Sequence, residues 1–306
     1  MTVRFWGARG SIPTPGPSTV HYGGNTACLE LRYGDNRRII VDAGTGIKPL
    51  GDHIARTELK NGPIKTRIFL SHTHWDHIMG FPFFTPIFIP GTELDIYSAV
   101  TYEDEGLESV FGFQLSYRYF PIRQSELAAK ITYHELKEET IELEEGMTVT
   151  TKFLNHPVLC LGYRFEHEGR SFCTCYDTEP FRNVFPEDPE DPDYDEFAAE
   201  DGRAAAHEEN QKLFRFIRGA DAVVYDTQYT EAEYRASKVG WGHSSYEYAI
   251  KACHNNDVKR LYFFHHDPAR TDEQLSRLVN GYRRGIAGRS SLQIDAAREG
   301  LELELS

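Results

Sequence analysis

Seven consecutive residues, Ser71-His72-Thr73-His74-Trp75-Asp76-His77, constrain this chain more than any other feature. They follow TRIFLS (66–71), an apolar run with the length and β-branched content of a buried strand. The strand delivers three imidazoles and one carboxylate to a single loop, spaced H-x-H-x-D-H. Neutral imidazole and carboxylate are good ligands for zinc and neighbouring transition metals. A polar loop of unrelated histidines would leave those atoms in need of other partners, at a cost that a bound ion removes.

Around this loop, short apolar runs alternate with turn signals. VRFW (3–6), ACLELRY (27–33) and RRIIVDAG (37–44) read as strands, the last two joined by a Gly-Asp-Asn hairpin turn. GIKPLGDHIAR (46–56) predicts a helix whose proline sits early, where it is tolerated. LDIYSA (94–99), ITYHEL (131–136) and MTVTTKFLNH (147–156) read as strands, and GYRFEHEGRSFCTCYDT (162–178) as a hairpin. ADAVVYDT (220–227), VKRLYFFHH (258–266) and LELEL (301–305) complete the strands. Helices are predicted at 203–218, 244–254 and 272–285, with helical patches at 103–110 and 124–130. Strand and helix patterns mix throughout, which gives an α/β class. Neither an internal repeat nor an interdomain linker stands out, so one domain over 1–306 is expected. A surface insertion at about 183–205 interrupts it, because nine of the fifteen residues 187–201 are acidic.

Composition narrows the function. The chain's 306 residues, 40% hydrophobic, can bury a sizeable core. A formal net charge of -14 disfavours a grip on long nucleic acid, which calls for a basic face. Five scattered cysteines do not read as a disulfide framework. Cys173 and Cys175 alternate along one strand and read as packed thiols, with a metal pair as the alternative. The N-terminus has no apolar signal segment, and the run 81–90 is too short and proline-rich to span a bilayer. That run reads as a packed loop or lid. A soluble cytoplasmic protein without membrane attachment is expected.

In chain order, GARGS (7–11), VDAGTG (41–46), the H-x-H-x-D-H loop, NHP (155–157), YDT (176–178), GHSS (242–245) and RLYFFHH (260–266) resemble the metallo-β-lactamase superfamily. The order is similar to its phosphodiesterase branch, which holds the tRNA 3′-processing endonucleases and several cyclic phosphate phosphodiesterases. The resemblance implies a four-layered αββα sandwich with a site at one edge of its two sheets. It implies two divalent metal ions, zinc or alternatively manganese. His72, His74 and His156 would hold the first ion. Asp76, His77 and one histidine of the His265-His266 pair would hold the second, and Asp177 would bridge them. Successive strand residues face opposite ways, so the pair does not share an ion. His265 is favoured, which leaves His266 for substrate contact or support. Asp42 would orient a ligating histidine, with a turn cap as the alternative. His243 would face the substrate phosphate. Ser244 would contact substrate or cap the following helix. Arg9 would pair with a phosphate or lie on the surface as an ordinary arginine.

Two metals roughly 3.5–4 Å apart can acidify a shared water toward a pKa of about 7, and the resulting hydroxide attacks phosphorus. His243 would assist as acid or electrostatic stabiliser, and Asp76 would accept a proton. The basic arm of the tRNA-processing enzymes has no counterpart here. A small cyclic phosphodiester, foremost a cyclic nucleotide, is therefore the expected substrate, and a homodimer the expected assembly. An endoribonuclease acting on tRNA 3′ ends and a non-catalytic cyclic-nucleotide sensor are the alternatives.

Overall fold

Apolar runs bounded by turn residues pair into two sheets of seven strands. The computed structural model describes residues 1–99 and 106–305. The first sheet takes β1 (Thr2–Gly7), β2 (Cys28–Tyr33), β3 (Arg37–Val41), β4 (Lys65–Phe69), β5 (Glu93–Ala99) and β6 (Lys130–Leu136). The second takes β7 (Thr140–Glu142), β8 (Thr148–Leu154), β9 (Cys160–His167), β10 (Arg170–Cys175), β11 (Ala222–Asp226), β12 (Arg260–Phe264) and β13 (Gln293–Ala296). The chain then returns to the edge of the first sheet as β14 (Glu302–Glu304). Seven α-helices join the described strands: α1 (Ile47–Thr57), α2 (Trp75–Ile78), α3 (Leu107–Gln114), α4 (Glu196–Ile217), α5 (Glu231–Ser237), α6 (Tyr246–His254) and α7 (Asp272–Ile286).

Three apolar layers hold these elements. Between the sheets lie Phe5, Leu31, Val41, Phe69, Val149, Phe165, Val224 and Phe264. On the outer face of the first sheet, Ile47, Leu50 and Ile54 of α1 and Phe111 of α3 pack with Ile40, Ile68 and Ile96. On the outer face of the second, Leu213, Ala249, Cys253, Leu275 and Val279 of α4, α6 and α7 cover Val223, Leu261 and Phe263. The result is an αββα sandwich. Strands β3 to β6 run parallel, as do β10 to β13, so several carboxyl ends gather on one edge of each sheet. Ligand sites in α/β folds form at such ends.

Several local expectations are corrected. The helix predicted at 203–218 starts earlier, at Glu196, capped by the Asp195 side chain. The second half of the acidic stretch is thus ordered helix, its solvent face carrying the charge. The run 81–90 forms two 3-10 turns that bury Phe81, Phe84 and Ile87, as a packed loop does. Of the helical patch at 103–110, residues 103–105 lie outside the described residues, and α3 accounts for the rest. Gln124–Glu126 is a single 3-10 turn that leads into β6. Strands β7 and β13 and helix α5 carry patterns too short to stand out in the sequence. No helix among the described residues is long and apolar enough to cross a membrane.

Candidate metal centre

The carboxyl ends of β3, β4, β8, β10, β11 and β12 converge. Beyond β4, the chain runs through His72 and His74 into the short helix α2, whose first turns carry Asp76 and His77. Beyond β8 comes His156, and beyond β10 comes Asp177. His74 Nδ1 and His156 Nε2 lie 3.0 Å apart. Asp177 Oδ2 lies 3.5 Å from His72 Nε2 and 3.3 Å from His77 Nε2, while its Oδ1 lies 3.4 Å from His265 Nε2. Asp76 Oδ2 lies 3.1 Å from His265 Nε2 and 3.3 Å from His77 Nε2. Three overlapping groups of donor atoms could each hold an ion, one from His72, His74, His156 and Asp177, the second from Asp76, His77, Asp177 and His265, and the third from Asp177, Asp226, His243 and His265; within each group the atoms are no more than 4.8 Å apart. Asp177 is common to all three, and the third reuses His265 from the second.

The donor chemistry fits such ions. His72 Nε2, His77 Nε2 and Asp177 Oδ1 are buried without a hydrogen-bond partner, an expensive arrangement unless a cation takes them up. The imidazole tautomers agree. His156 Nδ1 donates to the Gly242 carbonyl at 3.0 Å, which leaves Nε2 unprotonated toward His74. His77 Nδ1 bonds Asp42 Oδ2 at 2.7 Å, so its Nε2 likewise faces the carboxylates. Asp42 also accepts from the amide of Ser71 at 2.6 Å and from its hydroxyl at 2.8 Å. It thus fixes the ring whose other nitrogen points inward, which second-layer carboxylates do in metal sites.

Electrostatics create a well for positive charge. Burial alone would raise the pKa of Asp76, yet His77 and His265 hold it far below the carboxylate range. Burial of Asp177 is likewise outweighed by His265, His77 and His72. Burial lowers the pKa of His72 and His74 and takes His156 down to about 4, so these rings keep free lone pairs. His77 moves the other way. Despite burial, Asp177, Asp76 and Asp42 raise it, and a divalent cation would exploit the same field.

Strained backbone positions the groups. Asp42, His265 and Ser11 have φ of 62°, 58° and 63°, a left-handed region that non-glycine residues seldom occupy. The turn at His265 directs its ring at the carboxylates, and Gly10 makes room for it. A Cβ on Gly10 would fall 2.3 Å from His265 Nδ1. The Ser11 amide donates to Asp76 Oδ2 at 2.7 Å.

His243 joins this cluster, with its ring centroid 4.8 Å from that of His265. Its Nδ1 bonds Asp226 Oδ2 at 2.9 Å, and the carboxylate raises the imidazole pKa to about 9 against the pull of burial. Asp226 is a site residue that the sequence reading missed. Its signal was present: Tyr225-Asp226-Thr227 repeats Tyr176-Asp177-Thr178, and β10 and β11 pair in parallel with Cys175 opposite Tyr225.

Three expected substrate contacts are corrected. Arg9 is fully buried and spends its guanidinium on the carbonyls of Gly23, Asp267 and Arg270 at 2.8, 3.2 and 2.8 Å. It ties the N-terminal loop to the segment after β12. His266 is fully buried with Nε2 on the Ala297 carbonyl at 2.8 Å, and burial lowers its pKa to about 3. Ser244 is buried and donates to the Thr178 carbonyl at 2.5 Å, while Ser245 caps α6. All five cysteines are free and buried, and no thiol belongs to a metal-competent group among the described residues.

This arrangement agrees with comparisons to known proteins. Residues 37–194 match the model of the Beta-lactamase superfamily domain, a span that includes His72, His74, Asp76, His77, His156 and Asp177. The chain is 29% identical over 167 residues to Ribonuclease Z of Staphylococcus epidermidis, covering 54% of this chain and 49% of that protein. It is 29% identical over 178 residues to Ribonuclease Z of Lactococcus lactis, covering 56% and 51%. The chain thus spans about half the length of the curated relatives it matches. Among solved structures, the metallo-beta-lactamase fold protein YhfI of Bacillus subtilis superposes with a TM-score of 0.64 at 15% identity, covering 99% of this chain and 98% of that one. Human tRNase Z, short form, gives 0.63 at 18% identity and covers all of both chains. These structures share its fold, and with the matched domain carrying the H-x-H-x-D-H loop, the chain belongs to the beta-lactamase superfamily.

Proposed function

We propose that the chain is a metal-dependent hydrolase of phosphodiesters, and that its substrate is a small cyclic one, foremost a cyclic nucleotide. The observation that carries the reading is a buried His/Asp cluster with overlapping ion-sized sets of donors, two of which leave out His243, an imidazole kept protonated by its own carboxylate. His72, His74 and His156 would hold one divalent ion, Asp76, His77 and His265 the other, with Asp177 between them. Zinc suits these donors, and manganese is the alternative. Such ions would supply Lewis acidity toward phosphoryl oxygens and lower the pKa of water at the site.

The chain's own groups do the rest. Asp226 holds His243 by Nδ1, so the proton on Nε2 is the one to give to the leaving oxygen. Asp76 stays ionised, which suits it to holding a cation and orienting the attacking water more than to retaining a proton. Asp42 and Ser71 keep His77 from rotating.

A second reading, cleavage at RNA 3′ ends, is supported by similarity to the two Ribonuclease Z proteins. The net charge of -14 supports the smaller substrate. Hydrolysis of 3′,5′- and 2′,3′-cyclic mononucleotides, bis(p-nitrophenyl) phosphate and precursor tRNA by zinc- or manganese-loaded protein separates the two. Turnover of cyclic mononucleotides that vanishes in His74→Ala supports the first reading. Cleavage of precursor tRNA alone replaces it with the second, and silence on every substrate removes both.

A further inference from the structure

A recess of about 370 Å³ adjoins the metal centre, with His156 as their shared wall; Asn155, Glu179, Phe181, Arg182 and Gly240 are among its other lining residues. Its volume is in the range of small-ligand sites. The recess is held open by bonds independent of the metal-binding donors. Asn210 of α4 clamps Phe181 from both sides, accepting from its amide at 3.2 Å and donating to its carbonyl at 2.7 Å. The Glu179 amide donates to the Asn155 carbonyl at 3.0 Å, and Asn155 Nδ2 donates to the Pro180 carbonyl at 3.0 Å. Glu179 Oε2 accepts from the Tyr234 hydroxyl at 3.0 Å and from the Gly240 amide at 2.8 Å. This carboxylate therefore pins the segment 240–243, which leads into His243, to the floor of the recess.

The floor carboxylate is hydrogen-bonded, but the cation above it makes only a long ion pair. The Arg182 side chain is 48% exposed, and Glu179 approaches it only to 4.0 Å. Among the described residues no group hydrogen-bonds its guanidinium. Arg182 Nη2 lies over Gly240, 3.2 Å from where a Cβ would stand. Lys238 covers the neighbouring Trp241 ring at 3.8 Å and forms no ion pair among the described residues. In a chain of net charge -14, two cations thus flank the segment that carries His243, Lys238 held over aromatic rings and Arg182 with its hydrogen-bond donors open. A guanidinium with open donors favours the paired oxygens of phosphate or carboxylate.

We propose that this recess holds the non-reacting end of the substrate and that Arg182 there binds a second anionic group, so that phosphodiesters with an additional terminal phosphate or carboxylate are preferred. The assignment rests on the phosphodiesterase reading above for the reacting end, and its test separates the two. Three esters with one leaving group are compared: thymidine 5′-(p-nitrophenyl phosphate), its 3′-phosphate and its 3′-O-succinyl analogue. The metal-loaded protein is expected to favour the charged esters in kcat/KM by about tenfold, roughly one good charge-assisted contact. The better of the two names the group. In Arg182→Ala the preference ratio falls toward one, and Arg182→Lys restores part of it for the phosphate. A wild-type ratio near one, or a ratio unchanged in Arg182→Ala, overturns the proposal. Should no ester turn over, the phosphodiesterase reading is still judged on the cyclic mononucleotides above, and calorimetry of metal-free protein with thymidine 3′,5′-bisphosphate reads anion binding without turnover. There, a Kd weakened about tenfold in Arg182→Ala supports the anion site, and an equal Kd overturns it.

Discussion

Single atoms decide the geometry of this site, and Gly10 is the clearest case. Gly10→Ala would place a methyl 2.3 Å from His265 Nδ1 and displace that ring from Asp76 and Asp177. The expected outcome is loss of one of two bound ions by elemental analysis, and a fall in kcat of about 100-fold or more, with little change in circular dichroism. Asp226 gives a pH signature. Because it raises the His243 pKa to about 9, the proton donor persists through neutral pH, and kcat falls only as pH rises toward 9; bound cations pull this limb lower. Asp226→Asn should move the limb toward the ordinary imidazole value of about 6.5 and lower kcat by roughly 10²–10⁴. Stability follows the same sign. A pKa raised by folding contributes stability in full below about 6.5 and loses it as pH rises through about 9, so denaturant midpoints of wild type and Asp226→Asn should converge in alkali. Equal pH dependence of the two proteins would refute the dyad. The H-x-H-x-D-H residues were legible in sequence because six neighbours carry the pattern. Asp226 was marked only by its repeat of the Tyr-Asp-Thr motif, and its role was not legible, since its partner His243 is 17 residues away and the two meet only through tertiary structure. Arg9 was misread because nothing local reveals that its guanidinium ends on three distant carbonyls.

At the scale of elements, what was legible follows from burial. Strands β11 and β12 are nearly continuous apolar runs because helices cover their sheet, and β3 and β4 end in the apolar runs Ile39–Val41 and Ile68–Phe69, whereas β2 alternates; such patterns mark themselves. Edge strands of three or four residues, β7 and β13, bury little and leave a weak pattern. Helix α6 makes the link to function testable. Ser245, two residues after His243, accepts the Tyr248 amide at 3.2 Å and donates to Glu231 of α5 at 2.6 Å. Ser245→Ala should cost about 1 kcal/mol of stability, typical of a lost cap, and lower Tm by about 2–4 °C in calorimetry. A Tm unchanged or raised would show that the cap and its tie to α5 contribute nothing.

Considered whole, the molecule places its donors on both sides of an interface. The first sheet supplies Asp42, His72, His74, Asp76 and His77, and the second supplies His156, Asp177, Asp226 and His265. Any ion held here binds the folded chain more tightly than the unfolded one, which keeps only the contiguous part of each set. Chelation of the loaded protein should therefore lower Tm, by the equivalent of about 2.7 kcal/mol at a free metal concentration of 100 Kd. Equal Tm with and without chelator would rule out linkage of this kind. The whole-molecule layering was readable from motif order, whereas the partition of donors between sheets needs the strand register. That partition has a consequence for biogenesis. Neither half alone offers a full coordination set, so the nascent chain cannot capture its ions at full affinity until the last donor strand, β12, has emerged and the halves have closed. Metal loading would then serve as a checkpoint, passed only by molecules whose two sheets have met in the correct register.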